Sequence, residues 1–454
     1  MKLEIIILAA GQGTRMRSSL PKVLHTIAGR PMLAHVIDTA RALNPAQLHV
    51  VIGHGADTVK EAITGDDLCW VVQEQQLGTG HAVMQALPGV SADSSVLVMY
   101  GDVPLIQADT LMALADAAAT GPALLTARVA DPAGYGRVLR DATGKLAGVV
   151  EHKDATPEQR RLDEINTGVL AAPASDFQAF LPRVGNDNSQ GEYYLPDVLA
   201  LAVAEGREVA SCQVDAELEV LGINDRLQQQ LVEREYQRRQ ARALLQAGVA
   251  IADASRIDIR GQLVCGHDVR IDVNTVLEGK VEIGDGVHIG PNCVIKDSRI
   301  DDGAHMHAFS SLDEAVVGAA CSVGPYARLR PGTELAEGAR IGNFVETKKA
   351  LIGVGSKANH LAYIGDCEMG DGVNIGAGTI TCNYDGVNKH TTRIGNDVFV
   401  GSNSTLVAPL DIADQGFVAA GSTITKTVGE KELGVSRARQ RNVQGWRRPQ
   451  KGKD

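Results

Sequence analysis

The chain has 454 residues, 44% of them hydrophobic and 22% charged, with a formal net charge of −11. That length exceeds one ordinary core, so at least two domains are expected. The acidic balance disfavours nucleic acid or an anionic membrane as partner, and no stretch is long and apolar enough to span a membrane, which leaves small molecules.

Seven cysteines, Cys69, Cys212, Cys265, Cys293, Cys321, Cys367 and Cys382, stand singly with no CxxC pair, as suits a reducing cytoplasm. Glu4 interrupts the apolar start, and the run 5–10 is too short for a signal peptide. That run leads straight into Gly11-Gln12-Gly13-Thr14-Arg15, as a buried strand ending in a loop does. Strand-like runs recur at 48–52, 69–72, 96–100 and 124–129, with helical patterns at 31–43, 79–87 and 110–118. The alternation predicts a largely parallel, Rossmann-like α/β sheet covered on both faces, with ligands at the carboxyl ends of its strands. The glycines after the first run let backbone N–H groups approach phosphate oxygens. Met16 stands where the dinucleotide fingerprint needs a third glycine, and there is no GxxxxGK[ST] sequence.

The longer string Leu8-Ala9-Ala10-Gly11-Gln12-Gly13-Thr14-Arg15-Met16, followed by Pro21-Lys22, resembles the signature of sugar-nucleotide pyrophosphorylases. The resemblance implies that Leu8 to Gly11 line the nucleotide, and that Arg15 and Lys22 neutralise triphosphate charge while the α-phosphorus is attacked. It puts Gln73, Gly78 and Thr79 at a uracil ring, and Tyr100, Gly101 and Asp102 at the nucleotide. Gly136, Glu151 and Asn166 would hold the sugar. Asp102, a single carboxylate, suits Mg²⁺, which takes its other ligands from water and phosphate.

After Asn224-Asp225 comes a polar stretch, 226–247, closed by Gly248. It predicts a linking helix of ~30 Å with Leu227, Leu231, Leu244 and Leu245 on a thin apolar face. Asn224 has two readings. It is the helix N-cap, or, as the resemblance implies, the second Mg²⁺ ligand beside Asp102.

From Ile271 an aliphatic residue recurs at every sixth position: Ile271, Leu277, Ile283, Ile289 and Ile295. On an α-helix that step turns the side chain through ~600° and makes no stripe, whereas in extended chain an even step keeps one face. The period returns at Val317, Val323, Leu329, Leu335 and Ile341, and from Ile394 to Ile424, with glycines such as Gly284, Gly318 and Gly342 directly after ladder residues. A parallel β-helix of hexapeptides follows, the glycines serving its corners. It resembles the left-handed hexapeptide acyltransferases, which are trimers with active sites between subunits.

The ladder breaks most between Thr381 and Ile394, at Cys382-Asn383-Tyr384-Asp385-Gly386-Val387-Asn388-Lys389-His390, as a loop ejected from the prism would. Upstream, His360 stands in Lys357-Ala358-Asn359-His360-Leu361-Ala362-Tyr363-Ile364-Gly365-Asp366, which resembles the acetyltransferase motif of a two-headed family. Over essentially its full length the chain resembles the bacterial bifunctional N-acetylglucosamine-1-phosphate uridyltransferases and glucosamine-1-phosphate N-acetyltransferases. The resemblance implies His360 as general base for acetyl transfer. It implies Arg330, Lys348, Tyr363, Asn374 and Lys389 for glucosamine 1-phosphate, and Ala377, Asn383, Tyr384, Ser402, Ala420 and Arg437 for acetyl-CoA. The tail from Arg437 to Lys453, with seven basic residues, would meet coenzyme A phosphates or stay solvated. The expected layout is a uridyltransferase domain at 1–226, the helix at 227–247 and an acetyltransferase β-helix with tail at 248–454, in a cytoplasmic homotrimer. Its substrates would be UTP, N-acetylglucosamine 1-phosphate, glucosamine 1-phosphate and acetyl-CoA, with Mg²⁺, and its product would feed cell-wall and lipopolysaccharide synthesis. The alternative is a single-function pyrophosphorylase whose β-helix regulates or oligomerises it.

Overall fold

A computed structural model describes residues 2–451. Met1 and the end of the basic tail, Lys453 included, lie outside the described residues. The chain divides into two compact units that meet between Gln237 and Arg238.

In the first unit, β1 (Lys2–Ala9), α1 (Met32–Ala42), β2 (Gln47–Ile52), α2 (Ala56–Ala62), β3 (Leu68–Val72), α3 (Thr79–Ala86) and β4 (Ser94–Tyr100) follow in turn. Next come α4 (Ala108–Ala117), β5 (Ala123–Arg128), the hairpin β6 (Arg137–Arg140) and β7 (Leu146–Val150), and β8 (Glu164–Pro173). The unit ends with α5 (Ala174–Phe180), α6 (Asp197–Ala204) and β9 (Ala210–Val214). The sheet runs β9-β5-β8-β4-β1-β2-β3, with β6 and β7 attached through β8. Pairings among β1 to β4 are parallel, as is that of β9 with β5, and β8 alone on this path runs antiparallel to its neighbours, so the sheet is largely parallel, as expected. Period-two alternation splits β1 between two cores. Ile5 and Ile7 pack with Leu33, Val36 and Leu111, whereas Ile6 and Leu8 pack with Val83, Phe177 and Leu199. Burial on both faces explains why the run is aliphatic without interruption.

Helix α7 (Arg226–Gln246) carries the chain from one unit into the other. Asp225, not Asn224, caps it: Asp225 Oδ1 accepts from the Gln228 N–H at 2.9 Å, and the Gln228 side chain accepts from the Asn224 N–H at 2.7 Å. The expected apolar face holds only at Leu244, which packs against the core of the second unit. Leu227 and Leu231 are exposed, while Val232 and Ala241 are fully buried.

In the second unit each short strand of one file pairs in parallel with the one a coil later, in the series Ile271, Ile289, Met306, Val323, Ile341, Ala358, Ile375, Val400, Val418. This is a left-handed parallel β-helix. The spacing of 18, as from Ile271 to Ile289, is three hexapeptides. The spacing of 17, as from Ile289 to Met306, contains one five-residue side, Ile295 to Ile300, with Asp297 left-handed at φ 44°. Such sides hide the ladder from a strict sixfold count. It nevertheless continues through Ile300, Met306 and Leu312, and later through Thr347, Ile352, Ala358, Ile364, Met369 and Ile375, all buried. Most glycines after ladder residues have a cause other than cornering, Gly324 at φ 97° being an exception. Gly342 lacks a positive φ, but a Cβ there would lie 2.1 Å from the Asn359 oxygen of the next coil. One vertical file of left-handed corners is Asn274, Asn292, Phe309, Tyr326, Phe344, Leu361, Gly378 and Asn403, and other left-handed positions are held by glycines that do not follow ladder residues, such as Gly286, Gly303, Gly338, Gly355 and Gly372.

Candidate functional site

The carboxyl ends of β1, β3 and β4 open onto a cavity of about 880 Å³. Leu8, Ala9, Ala10, Gly11, Lys22, Gln73, Gly78, Thr79, Tyr100, Asp102 and Asn224 all line it. A smaller cavity of about 260 Å³ shares Thr79 and Tyr100 and adds Gly136, Glu151 and Asn166. Two expected residues stand back from the walls of these cavities. Gly101 is buried at the end of β4, and exposed Arg15 reaches the site by donating from Nη2 to Asn224 Oδ1 at 2.9 Å.

Because Asp225 takes the cap, the Asn224 side chain is free to face the cavity. Its Oδ1 also accepts from Lys22 Nζ at 2.7 Å, and the same ammonium is ion-paired with Asp102. The two oxygens thus converge on one positive charge, so the donor set fits a small hard cation. The loop that delivers Lys22 is tight. Gly13 has φ 65°, and a Cβ on it would lie 2.5 Å from Lys22 Cβ.

The end of the cavity at Gly78 and Thr79 is held by a second segment. Tyr193 N–H donates to Leu77 O and Gly80 N–H to Tyr193 O, both at 2.8 Å, and Leu195 N–H donates to Thr79 Oγ1 at 3.1 Å. In the smaller cavity, burial and then the charge of Asp197 push the Glu151 carboxyl above its usual range, while its hydrogen bond to Asn166 opposes this. Burial raises the Tyr100 phenol strongly, so it stays neutral. Glu192, Tyr135, Thr167 and Tyr194 also line these walls, and sequence reasoning missed them. No fixed spacing marks them. Tyr135 arrives on the loop before β6, Thr167 on β8, and Glu192 and Tyr194 on the loop before α6.

In the second unit, Arg330, Lys348 and Tyr363 come from successive coils through the pairing of Arg328 with Glu346 and of Glu346 with Tyr363. Arg330 Nη1 donates to Glu346 Oε1 at 2.7 Å. Lys389 arrives from the ejected loop, a hairpin closed by the antiparallel bridge of Tyr384 with Lys389. Lys389 first, and then Arg330, hold the Lys348 ammonium below the usual lysine range. Three cations so close make an anion site. His360 is exposed and pairs in register with Asn343. Asn374 pairs with Lys357 on the adjoining strand file. The Asn383 amide donates to Asp366. Ala377, Ser402 and Ala420 form one corner file: Asn403 N–H donates to Ala377 O at 2.7 Å, Gly421 N–H to Ser402 O at 2.8 Å, and Arg437 Nη1 to Ala420 O at 2.6 Å. Among the described residues no helix is long and apolar enough to cross a membrane.

Residues 5–168 match the family model of the MobA-like NTP transferase domain, and residues 259–358 match that of the GMPPB C-terminal domain. The second match stops short of His360 and the 382–390 loop. A Bifunctional protein GlmU from Marinobacter nauticus is 55% identical over 450 residues, covering 99% of each chain. One from Stutzerimonas stutzeri is 57% identical over 99% of this chain and 100% of its own. Among solved structures, a nucleotidyl transferase from Methanothermobacter thermautotroptrophicus is 20% identical with a TM-score of 0.39, over 52% of this chain and 99% of its own.

Proposed function

The chain belongs to the family of bifunctional GlmU proteins, and from that premise we propose how its two units divide the work. The protein makes UDP-N-acetylglucosamine. It transfers acetyl from acetyl-CoA to the amine of glucosamine 1-phosphate, then uridylyl from UTP to N-acetylglucosamine 1-phosphate, releasing pyrophosphate.

Uridylyl transfer is assigned to the first unit. The observation that carries this is the meeting of Lys22, Asp102 and Asn224 in the large cavity, with Arg15 bonded to the same asparagine. A phosphate oxygen of N-acetylglucosamine 1-phosphate attacks the α-phosphorus of UTP as the bond to pyrophosphate breaks. Arg15 and Lys22 offset the charge that moves onto the leaving group. Gln73 and Gly78 contact uracil, Thr79 and Tyr100 stand at the junction of the two cavities, and Glu151, Asn166 and Gly136 hold the sugar. Asp102 and Asn224 would hold Mg²⁺, which when bound supplies neutralisation of the triphosphate and orientation of its oxygens.

Acetyl transfer is assigned to the second unit. Arg330, Lys348 and Lys389 hold the sugar phosphate, with Tyr363 and Asn374 beside it. His360 takes the amine proton as nitrogen attacks the thioester carbonyl and the thiolate of coenzyme A leaves. The corner file Ala377, Ser402, Ala420 and Arg437, with Asn383 and Tyr384, receives the cofactor.

A cytoplasmic homotrimer is the proposed state. Its support is the file Phe309, Tyr326 and Phe344, exposed aromatic rings stacked at 4.9 and 5.2 Å, each in a left-handed conformation costly for a bulky residue. Consumption of acetyl-CoA with glucosamine 1-phosphate, and release of pyrophosphate from UTP with N-acetylglucosamine 1-phosphate, test the two assignments. Failure of the first with success of the second would return the single-function reading. A monomeric mass at micromolar concentration, with acetyl transfer intact, overturns the trimer.

A further inference from the structure

Gln73 directly follows β3, its side chain is 3% exposed, and its backbone N–H continues the sheet ladder to Ile52 O at 2.8 Å. The side-chain nitrogen lies 3.2 Å from the backbone oxygen of Gly78 and 3.0 Å from Nδ1 of His81, on the first turn of α3. A carbonyl oxygen only accepts, so the amide must present its NH₂ end to Gly78, because the flipped amide would set oxygen against oxygen. The second amide hydrogen then goes to Nδ1 of His81. That nitrogen must be bare, which puts the imidazole proton on Nε2. Nε2 lies 3.3 Å from the side chain of exposed Gln85, whose amide can turn its oxygen inward to accept.

Both hydrogens of Gln73 are therefore spent inside the protein, and Oε1 is the polar atom left for the cavity the residue lines. An acceptor there complements the N3–H of a uracil ring. It opposes the N3 lone pair of cytosine, and two desolvated lone pairs facing each other leave both groups unpaired. We propose that His81 is a positioning residue that locks the Gln73 amide with its oxygen toward the base, so that the site selects uridine over cytidine nucleotides. The proposal rests on the assignment of Gln73 as base contact. Leu77, Thr79 and Gly80, bonded across to Tyr193 and Leu195 of the neighbouring segment, keep the start of α3 from shifting to relieve a wrong partner.

The test is the ratio of kcat/KM for UTP to that for CTP, with N-acetylglucosamine 1-phosphate as acceptor, in the full chain. His81→Leu, which accepts no hydrogen bond, should lower the ratio ~10-fold or more, the scale of one unpaired polar group. His81→Asn, whose Oδ1 can accept, should keep most of it. A merely structural role would weaken both nucleotides together, and an unchanged ratio in His81→Leu overturns the proposal. Gln73→Leu separates the layers. If that variant keeps the wild-type ratio, the base contact itself is wrong. If it collapses the ratio while His81→Leu does not, only the role of His81 falls. Nitrogen NMR of the wild-type imidazole checks the same point without a variant: Nε2–H is expected at neutral pH, and an Nδ1–H tautomer refutes the lock.

Discussion

The nucleotide cavity and the cationic face of the β-helix differ in how their walls are made. The cavity is enclosed by strand ends of one sheet, and a second segment of the same unit closes the end at Gly78 and Thr79 through backbone hydrogen bonds. The face is a set of side chains lined up by coil register, with His360, Tyr384 and Lys389 exposed. Sheet ends gather residues far apart in sequence and can bury them. A regular solenoid only stacks them in files, so depth must come from an ejected loop or another subunit. The first site therefore has its specificity inside one chain, and the second should depend on assembly.

Four measurements break or sharpen that contrast. Chelation of divalent cations should abolish uridylyl transfer and spare acetyl transfer, since the proposed Mg²⁺ ligands Asp102 and Asn224 line the cavity of the first unit. Equal loss of both activities would refute the assignment of the pair. Next in size, His360→Ala should lower acetyl transfer by ~10²–10⁴ and leave uridylyl transfer at the wild-type rate. A correctly assembled variant that keeps wild-type acetyl transfer would make the histidine scaffold. Arg15→Ala should lower uridylyl transfer by about 10² by removing a cation from the transferring phosphate. Acetyl transfer, on the proposed assignment to the other compact unit, should not respond, and each site's substrate is supplied separately so that neither depends on the other.

The smallest effect is in pH. Lys389 and Arg330 hold Lys348 below the ordinary lysine range, so Lys348 loses its charge earlier on the alkaline side, and KM for glucosamine 1-phosphate should rise there first. Lys389→Met removes the largest cause. The alkaline rise should then move to higher pH, even though KM at neutral pH worsens. A limb that stays put would mean that Lys348 does not hold the phosphate.

The β-helix was legible wherever its sides are six residues long, because even spacing keeps one face inward. It was lost between Ile341 and Ile394, where the five-residue sides Thr347 to Ile352 and Ile364 to Met369 shift the phase by one and where Thr347, Ala358 and Thr381 take ladder positions. In the first unit the contiguous string from Leu8 to Lys22 carried its own meaning. Glu192 and Tyr194 did not, since the loop before α6 brings them in by topology alone. The cap of α7 shows how local chemistry arbitrates: two neighbouring residues could each serve, and only the geometry of Gln228 reveals that Asp225 does.

The corner file from Ala377 through Ser402 and Ala420 to Arg437 is also a ruler. Each step climbs one coil, so its ends stand ~14 Å apart at the spacing of hydrogen-bonded strands. A ligand held at both ends has to be long, narrow and laid along the solenoid axis. On the proposed assignment, reach is then part of recognition: an acetyl thioester of a short thiol would carry the same reactive carbonyl and still span only a fraction of the scale.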